Sequence, residues 1–549
     1  MAGPTRLRRD AGVIGLLYAS LGSIIGSGWL FGALHAALQA GPLSVFSWIG
    51  GAIAILLVAF VFAELSTMFP NSGALVHMTH VSHGDFLGKI WSWILFLGFV
   101  SIPPVEVIAV LTYANSYFPG LIDTATGLLT AEGYVAAAIL LAFIIALNFL
   151  AVRWVMAINS TATWWKLLIP MATIPILLIY SFHPENMVAQ VDSVPISGIF
   201  TAIATAGVAF SYLGFQQAIA LAGETRNPGR NVPIALIGSV LIGAVVYIGL
   251  QIAFIMALSP EDMAGGWTNL HFEGMFGPLA AIAVAVGAFW WAIILYIDAV
   301  ISPLGTGFIY ATASPRITMA AGEMGNAPKV VTRLNRHGVP WVGLIIAYVV
   351  GLLFFFPFPS WQKLVSAVVM ITVLSYSVGP ILIISLRKSL PGAERPFRLR
   401  ALRTLALLAF ISANWLIYWT GYETIVWLLS FVGVYVVFYL SWTFIGYLRG
   451  RCSAVLPQGW RHTLWIVPYL AGLWLISYLG PDGVACYGFF VGMAILAGFS
   501  PVILWLGVRS RQDDDSARKD NEFVGSLGSR GSISEQEDEV IRSAEETAP

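Results

Sequence analysis

About fourteen stretches of roughly twenty apolar residues run through this chain, each long enough to cross the hydrocarbon core of a bilayer. They lie near 12–33, 43–68, 88–118, 133–152, 160–181, 197–222, 233–258, 279–312, 341–357, 364–386, 402–419, 423–447, 464–479 and 484–508. Lipid offers backbone N–H and C=O groups no partner, so spans of this length must satisfy them internally, as helices. The expected class is an all-α polytopic membrane protein. Composition agrees: of 549 residues, 58% are hydrophobic and 10% charged, against about 25% charged in soluble domains.

Several function classes fall away on the same grounds. The formal net charge is zero, and Lys and Arg lack the aromatic interleaving of a nucleic-acid surface. Cys452 and Cys486 are too few for a disulfide framework or a metal cluster. His77, His80 and His83 stand at i, i+3 and i+6 with no fourth ligand nearby; an interfacial, pH-responsive loop suits them better than a metal. Neither a nucleophile motif nor a phosphate-cradling loop is present, which argues against an enzyme and against a bound cofactor. No repeated polar rings suggest a channel. The start, "MAGPTRLRRD", leads into a first span without a small-residue cleavage site, as in a retained helix.

The connections alternate in charge. "RLRRD", Lys89, Arg153, "ETRNPGR", "RKSLPGAERPFRLRALR" and "RGR" fall on one side, while "PGLIDTATGLLTAEG", "HPENMVAQVD", "PEDMAGGWTNLHFEG", "TGYE" and "GPDG" fall on the other. Lys363, at the start of the tenth span, is the basic residue near that second face. The positive-inside rule then places both termini in the cytoplasm of a multi-pass cell-membrane protein. Residues 1–11 are read as a cytoplasmic lead and 402–508 as four further spans. The polar, Ser-rich tail 509–549 is expected to be disordered.

Two spans carry poor helix formers at their centres. "GSIIGSGWLFG" (22–32) interrupts the first, and Gly207, Ser211 and Gly214 interrupt the sixth. The sixth opens a second set of five, so residues 12–181 and 197–386 read as inverted repeats, a five-plus-five core with discontinuous first and sixth helices. Paired glycine breaks of this kind point to a transporter substrate site at the repeat interface. N–H groups freed at a half-helix start suit a carboxylate, and freed C=O groups suit an ammonium or a cation. An amino acid needs both. Close helix packing by small residues is the competing explanation.

These segments resemble the amino acid–polyamine–organocation superfamily. The resemblance rests on "GSIIGSGWLFG", on "FSYLGFQQAIALAGETRNPGRNVPIA" (210–235) and on "SPRITMAAGEMGNAPKVVTRLNRHGVP" (314–340). "FSWIGGA", "FAELSTMFPNSG", "SHGDFLG", "FPSWQKLV" and "YWTGYETIVWLL" are similar to bacterial aspartate:proton symporters. The resemblance implies alternating access, with Gly26, Ser27 and Gly28 at the substrate carboxylate. It implies carbonyls near Ile24, Phe210, Ser211 and Leu213 at the ammonium, with Phe210 also a lid. Lys166, on the fifth span, matches the lysine that replaces a sodium ion in proton-coupled relatives.

Ionisable groups at membrane depth are costly and mark function. Lys166 can load and release a proton; its plain alternative is snorkelling to the interface. Glu106 and Asp298 are candidates for a proton relay or a side-chain pocket, or for structural hydrogen bonds. Glu64 and Glu224 read as gate residues, Asn148 and Asn414 as packing polars, and His35 as facing the outer vestibule.

The expected function is import of an amino acid, aspartate or another acidic one, with the proton rather than sodium as coupling ion. A neutral amino acid symporter, an exchanger and a transporter-like nutrient sensor are the alternatives. Partners are the small-molecule substrate and the lipid bilayer; nothing in the chain fixes an oligomeric state.

Overall fold

The computed structural model describes residues 12–69, 74–123, 126–149, 152–270, 277–449, 456 and 459–525, with the backbone alone at 74, 152–161 and 224. The lead 1–11, Cys452 and the tail beyond 525 lie outside the described residues. Among those described, regular structure is helical, with isolated bridges at Ile122–Leu129 and Leu334–Pro340.

The first set of helices is α1 (Val13–Ile24), α2 (Gly28–Ala40), α3 (Ser44–Met68), α4 (Ala74–His83), α5 (Asp85–Val100), α6 (Ile102–Ala114), α7 (Ala131–Leu147) and α8 (Val152–Tyr180). The second is α9 (Ser197–Thr205), α10 (Val208–Tyr212), α11 (Gln217–Ala220), α12 (Pro228–Ala257), α13 (Pro278–Ala285), α14 (Phe289–Glu323), α15 (Trp341–Phe354), α16 (Trp361–Ser377) and α17 (Gly379–Ser389). Then come α18 (Leu402–Tyr418), α19 (Tyr422–Leu448), α20 (Ile466–Leu479) and α21 (Phe489–Arg509). Helix occupies every apolar stretch. By length and composition nine of the described helical segments can cross a membrane, or ten if the bent pair 197–220 is one span.

Apolarity alone does not say which helices lie inside, because lipid accepts the same side chains as a core. The apolar window of Asp85–Ala114 is wholly buried and that of Trp361–Ser389 is 94% buried, whereas only 17% of the Tyr422–Leu448 window is. Val434, Val437, Phe438 and Trp442 of α19 are exposed, as suits a lipid-facing stripe. Inside, polar side chains join helices: Trp48 Nε1 donates to Gln251 Oε1 (2.7 Å), and Gln251 Nε2 donates to Ala33 O (3.2 Å). Asn148 accepts from Thr312 (2.5 Å), and Asn414 donates to Ser500 (2.8 Å), so both are packing polars.

The two ends of the bundle differ. One carries the start of α1, α4 and the described tail. The other carries loops tied to each other, with Leu129 N donating to Pro359 O (3.1 Å) and His183 N to Met256 O (2.7 Å). At the tail face, the part of the expected disordered tail that is described, up to residue 525, is ordered. Residues 514–525 are helical. Ala517 and Val524, seven apart and on one helix face, are buried. Gln512 N donates to Ser82 O (3.0 Å) and its Nε2 to Val81 O (2.6 Å). A short apolar face and one glutamine suffice because α4 supplies the partner surface, which composition does not reveal. α4 is no open loop either: His77 and His83 are buried, and His83 Nε2 pairs with Gly507 O (2.9 Å).

Candidate functional site

α1 ends at Ile24 and α2 starts at Gly28; Ile25 leaves helical geometry (φ −87°, ψ 85°). The pair α9–α10 bends by 54° at Ala206–Gly207, where Gly207 has φ +91°, a left-handed conformation that favours glycine. The two breaks lie against each other. A Cβ on Gly28 would stand 2.1 Å from Ser211 Oγ, and one on Gly214 would stand 2.2 Å from the Ile24 backbone nitrogen. Both positions therefore need glycine for approach of two interrupted backbones, not for helix flexibility.

Charged and polar groups converge on this crossing. Lys166 is fully buried; its ammonium donates to the Gly22 carbonyl and to Thr306 Oγ1 (2.7 Å). Thr306 in turn donates to Gly22 O (3.1 Å) and Ile25 O (3.2 Å). α8, α1 and α14 thus meet through one cation, and snorkelling is ruled out by burial. From α6, Glu106 Oε2 accepts from Ser27 N at 2.8 Å, while Oε1 has no partner. This carboxylate sits at the positive start of α2, on the N–H of its capping residue, which the helix leaves unpaired. Asp298 is buried on α14 and accepts from Ser302 Oγ (2.8 Å), within electrostatic reach of Lys166. Ile24 departs from expectation: its carbonyl already accepts from Tyr247 OH (2.7 Å) and Gly26 N (3.1 Å). Both of its lone pairs are taken, and the Phe210 carbonyl accepts from Leu213 N.

Two broken helices thus cross with a carboxylate at one helix start and a buried lysine joining α1, α8 and α14. The amino acid permease family model matches residues 12–450 of this chain. The chain belongs to the amino acid permease family. This permease is 36% identical to the glutamate/serine transporter AimA of Bacillus subtilis (strain 168), covering 87% of this chain and 88% of the relative. It is 32% identical to the aspartate-proton symporter of the same organism, covering 87% and 91%. The branched-chain amino acid permease BcaP of that organism is 26% identical, covering 80% and 94%. The permease is accordingly a multi-pass cell-membrane transporter of amino acids, within the superfamily that its motifs resemble, and not an enzyme.

Around its site, the permease places aromatic and amide groups that sequence reading passed over. Toward the loop face, Trp361 Nε1 donates to Ser27 Oγ (2.9 Å). Toward the tail face, Gln216 Nε2 donates to Tyr310 OH (3.1 Å) and Tyr376 OH donates to Gln216 Oε1, tying the sixth span to α14 and α16. Thr306 was missed as well, although its setting "GTG" (305–307) carried a signal. A Cβ on Gly305 would stand 3.4 Å from Lys166 Nζ, and one on Gly307 would stand 3.5 Å from Glu106 Cβ. Glu64 lies away from this crossing: it is buried, takes both arms of Arg387 (2.5 and 2.7 Å) and accepts from Leu399 N (2.8 Å). That ion pair fastens α3 to α17 at the tail face. The side chain of Glu224 lies outside the described residues.

Proposed function

We propose that this permease imports an amino acid, aspartate or another acidic one, by proton symport with alternating access between its two five-span repeats. Both termini lie in the cytoplasm, on the side of the basic loops. The observation that carries the reading is the Glu106 carboxylate on the Ser27 N–H (2.8 Å). A substrate carboxylate bound by Gly26, Ser27 and Gly28 needs the same donor, so loading displaces Glu106. Two carboxylates confined together disfavour double ionisation, which ties substrate arrival to a proton on Glu106. Lys166 holds the sodium-like position, and a proton leaving it weakens the grip on Gly22 and Thr306 that joins α8 to α1 and α14. Asp298 completes a relay on the loop-face side. The relatives' names support an amino acid substrate, acidic in the aspartate-proton symporter and both acidic and neutral in the glutamate/serine transporter, and the first of them supports the proton.

A neutral substrate is the second reading, favoured by one observation: the Lys166 ammonium is already held by Gly22 and Thr306. An acidic side chain then meets Glu106 without a free cation, whereas a serine-like one does not.

Uptake of aspartate, glutamate and serine into proteoliposomes, with and without an inward proton gradient, tests both. The expected result is accumulation driven by the gradient, indifferent to sodium and lost in Lys166→Ala while binding persists. Accumulation that follows sodium and ignores pH overturns proton coupling. Counterflow without gradient-driven accumulation identifies an exchanger, and binding without flux a sensor.

A further inference from the structure

Trp361 is the first residue of α16, and its side chain reaches both helix breaks from a helix that belongs to neither. Its indole N–H donates to Ser27 Oγ at the start of α2 (2.9 Å). Its six-membered ring lies on the sixth-span break, where a Cβ on Gly207 would stand 2.6 Å from Cη2. A bulkier residue at Gly207 would therefore push the indole off. Phe210 meets the same ring edge-on, with centroids 6.4 Å apart. On its other side Phe31 (4.9 Å) and His35 (5.5 Å, planes within 16°) cover it. His35 stands two turns beyond Ser27 along α2, about 12 Å nearer the loop face. Tyr376, in the Gln216 chain on the opposite flank, is about 22 Å further along α16. One helix thus brackets the site with an aromatic residue at either side.

We infer that Trp361 is the outward lid of the substrate site, and that its indole N–H closes on Ser27 when the site is loaded. The inference rests on the transport reading above. A tryptophan serving only to fill the core would take any nearby acceptor. This one takes the hydroxyl of the residue whose N–H anchors the carboxylate, and it bears on the second break at the same time. Opening toward the loop face requires the start of α16 to lift the indole from Ser27 and Gly207 together. Closure seals the substrate beneath a ring already backed by Phe31 and His35.

The test uses His35→Cys in a full chain carrying Cys452→Ser and Cys486→Ser, oriented in proteoliposomes and labelled from the loop face with a membrane-impermeant thiol reagent. Saturating aspartate or serine should slow labelling, and the additional change Trp361→Ala should abolish that protection while leaving the chain monodisperse in detergent. Should Trp361→Ala not fold, Trp361→Leu carries the same labelling test. In the otherwise native chain, Trp361→Phe keeps the stacking but lacks the N–H. It should raise KM roughly fivefold, the worth of one hydrogen bond, with Vmax within about twofold. Protection that survives loss of the indole, no protection in the parent despite uptake, or an unchanged KM in Trp361→Phe each overturns the lid. If the native chain accumulates no amino acid, the transport reading has failed instead.

Discussion

Glu106 shows how one side chain can hold a membrane site ready. Its carboxylate accepts from Ser27 N at the start of α2, the donor that the proposed mode of binding gives to the substrate carboxylate, and Oε1 is unpartnered at full burial. Glutamine at this position mimics a carboxyl that is permanently protonated. Glu106→Gln should therefore keep counterflow but lose most of the concentrative uptake that an inward proton gradient drives; unaltered accumulation would sink the role. At residue scale the sequence was informative where chemistry is rare. Lys166, Glu106 and Asp298 stood out as charges in apolar surroundings, and all are buried near one another. Trp361, Tyr310 and Tyr376 did not stand out, because aromatic residues are ordinary in spans and only position shows which of them meet the broken helices. What the Ile24 carbonyl pairs with was hidden for a related reason: Tyr247, which donates to it, comes from a helix more than two hundred residues away.

Among the elements, α4 is where sequence and structure part most. Its histidines read as an interfacial, pH-responsive loop, yet packing against α5, α17 and the tail buries His77 and His83. Burial pushes His77 and His83 down to about 4. An unfolded histidine titrates near 6.5, so between these values the unfolded chain binds protons that the folded one refuses. Stability is complete above about 6.5 and falls as pH drops toward 4. Each group costs about 2 kcal/mol by pH 5. The melting temperature in detergent should fall steadily from pH 6.5 to 5, and His77→Leu should flatten that slope. A melting temperature constant over this range would contradict the assignment.

For the whole molecule, the described part of the tail, up to residue 525, packs on the bundle. Gln512 and Asp520 reach Val81 and His80 on α4, with the His80–Asp520 pair at 3.9 Å. Deleting residues 512–549 should speed hydrogen exchange across 77–83 and leave the interior of α16 unchanged. Equal exchange in the two proteins would show that the contact contributes nothing. The helical class and the two breaks were legible from apolar length and glycine spacing, because lipid imposes helix on any such stretch; of the fourteen expected spans, nine or ten described segments are long and apolar enough to cross a membrane. Which helices face lipid was not legible, since a bilayer and a protein core select the same residues. The convergence of Lys166, Thr306, Glu106 and Trp361 on one crossing belongs to the tertiary structure alone. Four separate helices must pack before a buried charge finds its partners, and no local pattern records which partner comes from where.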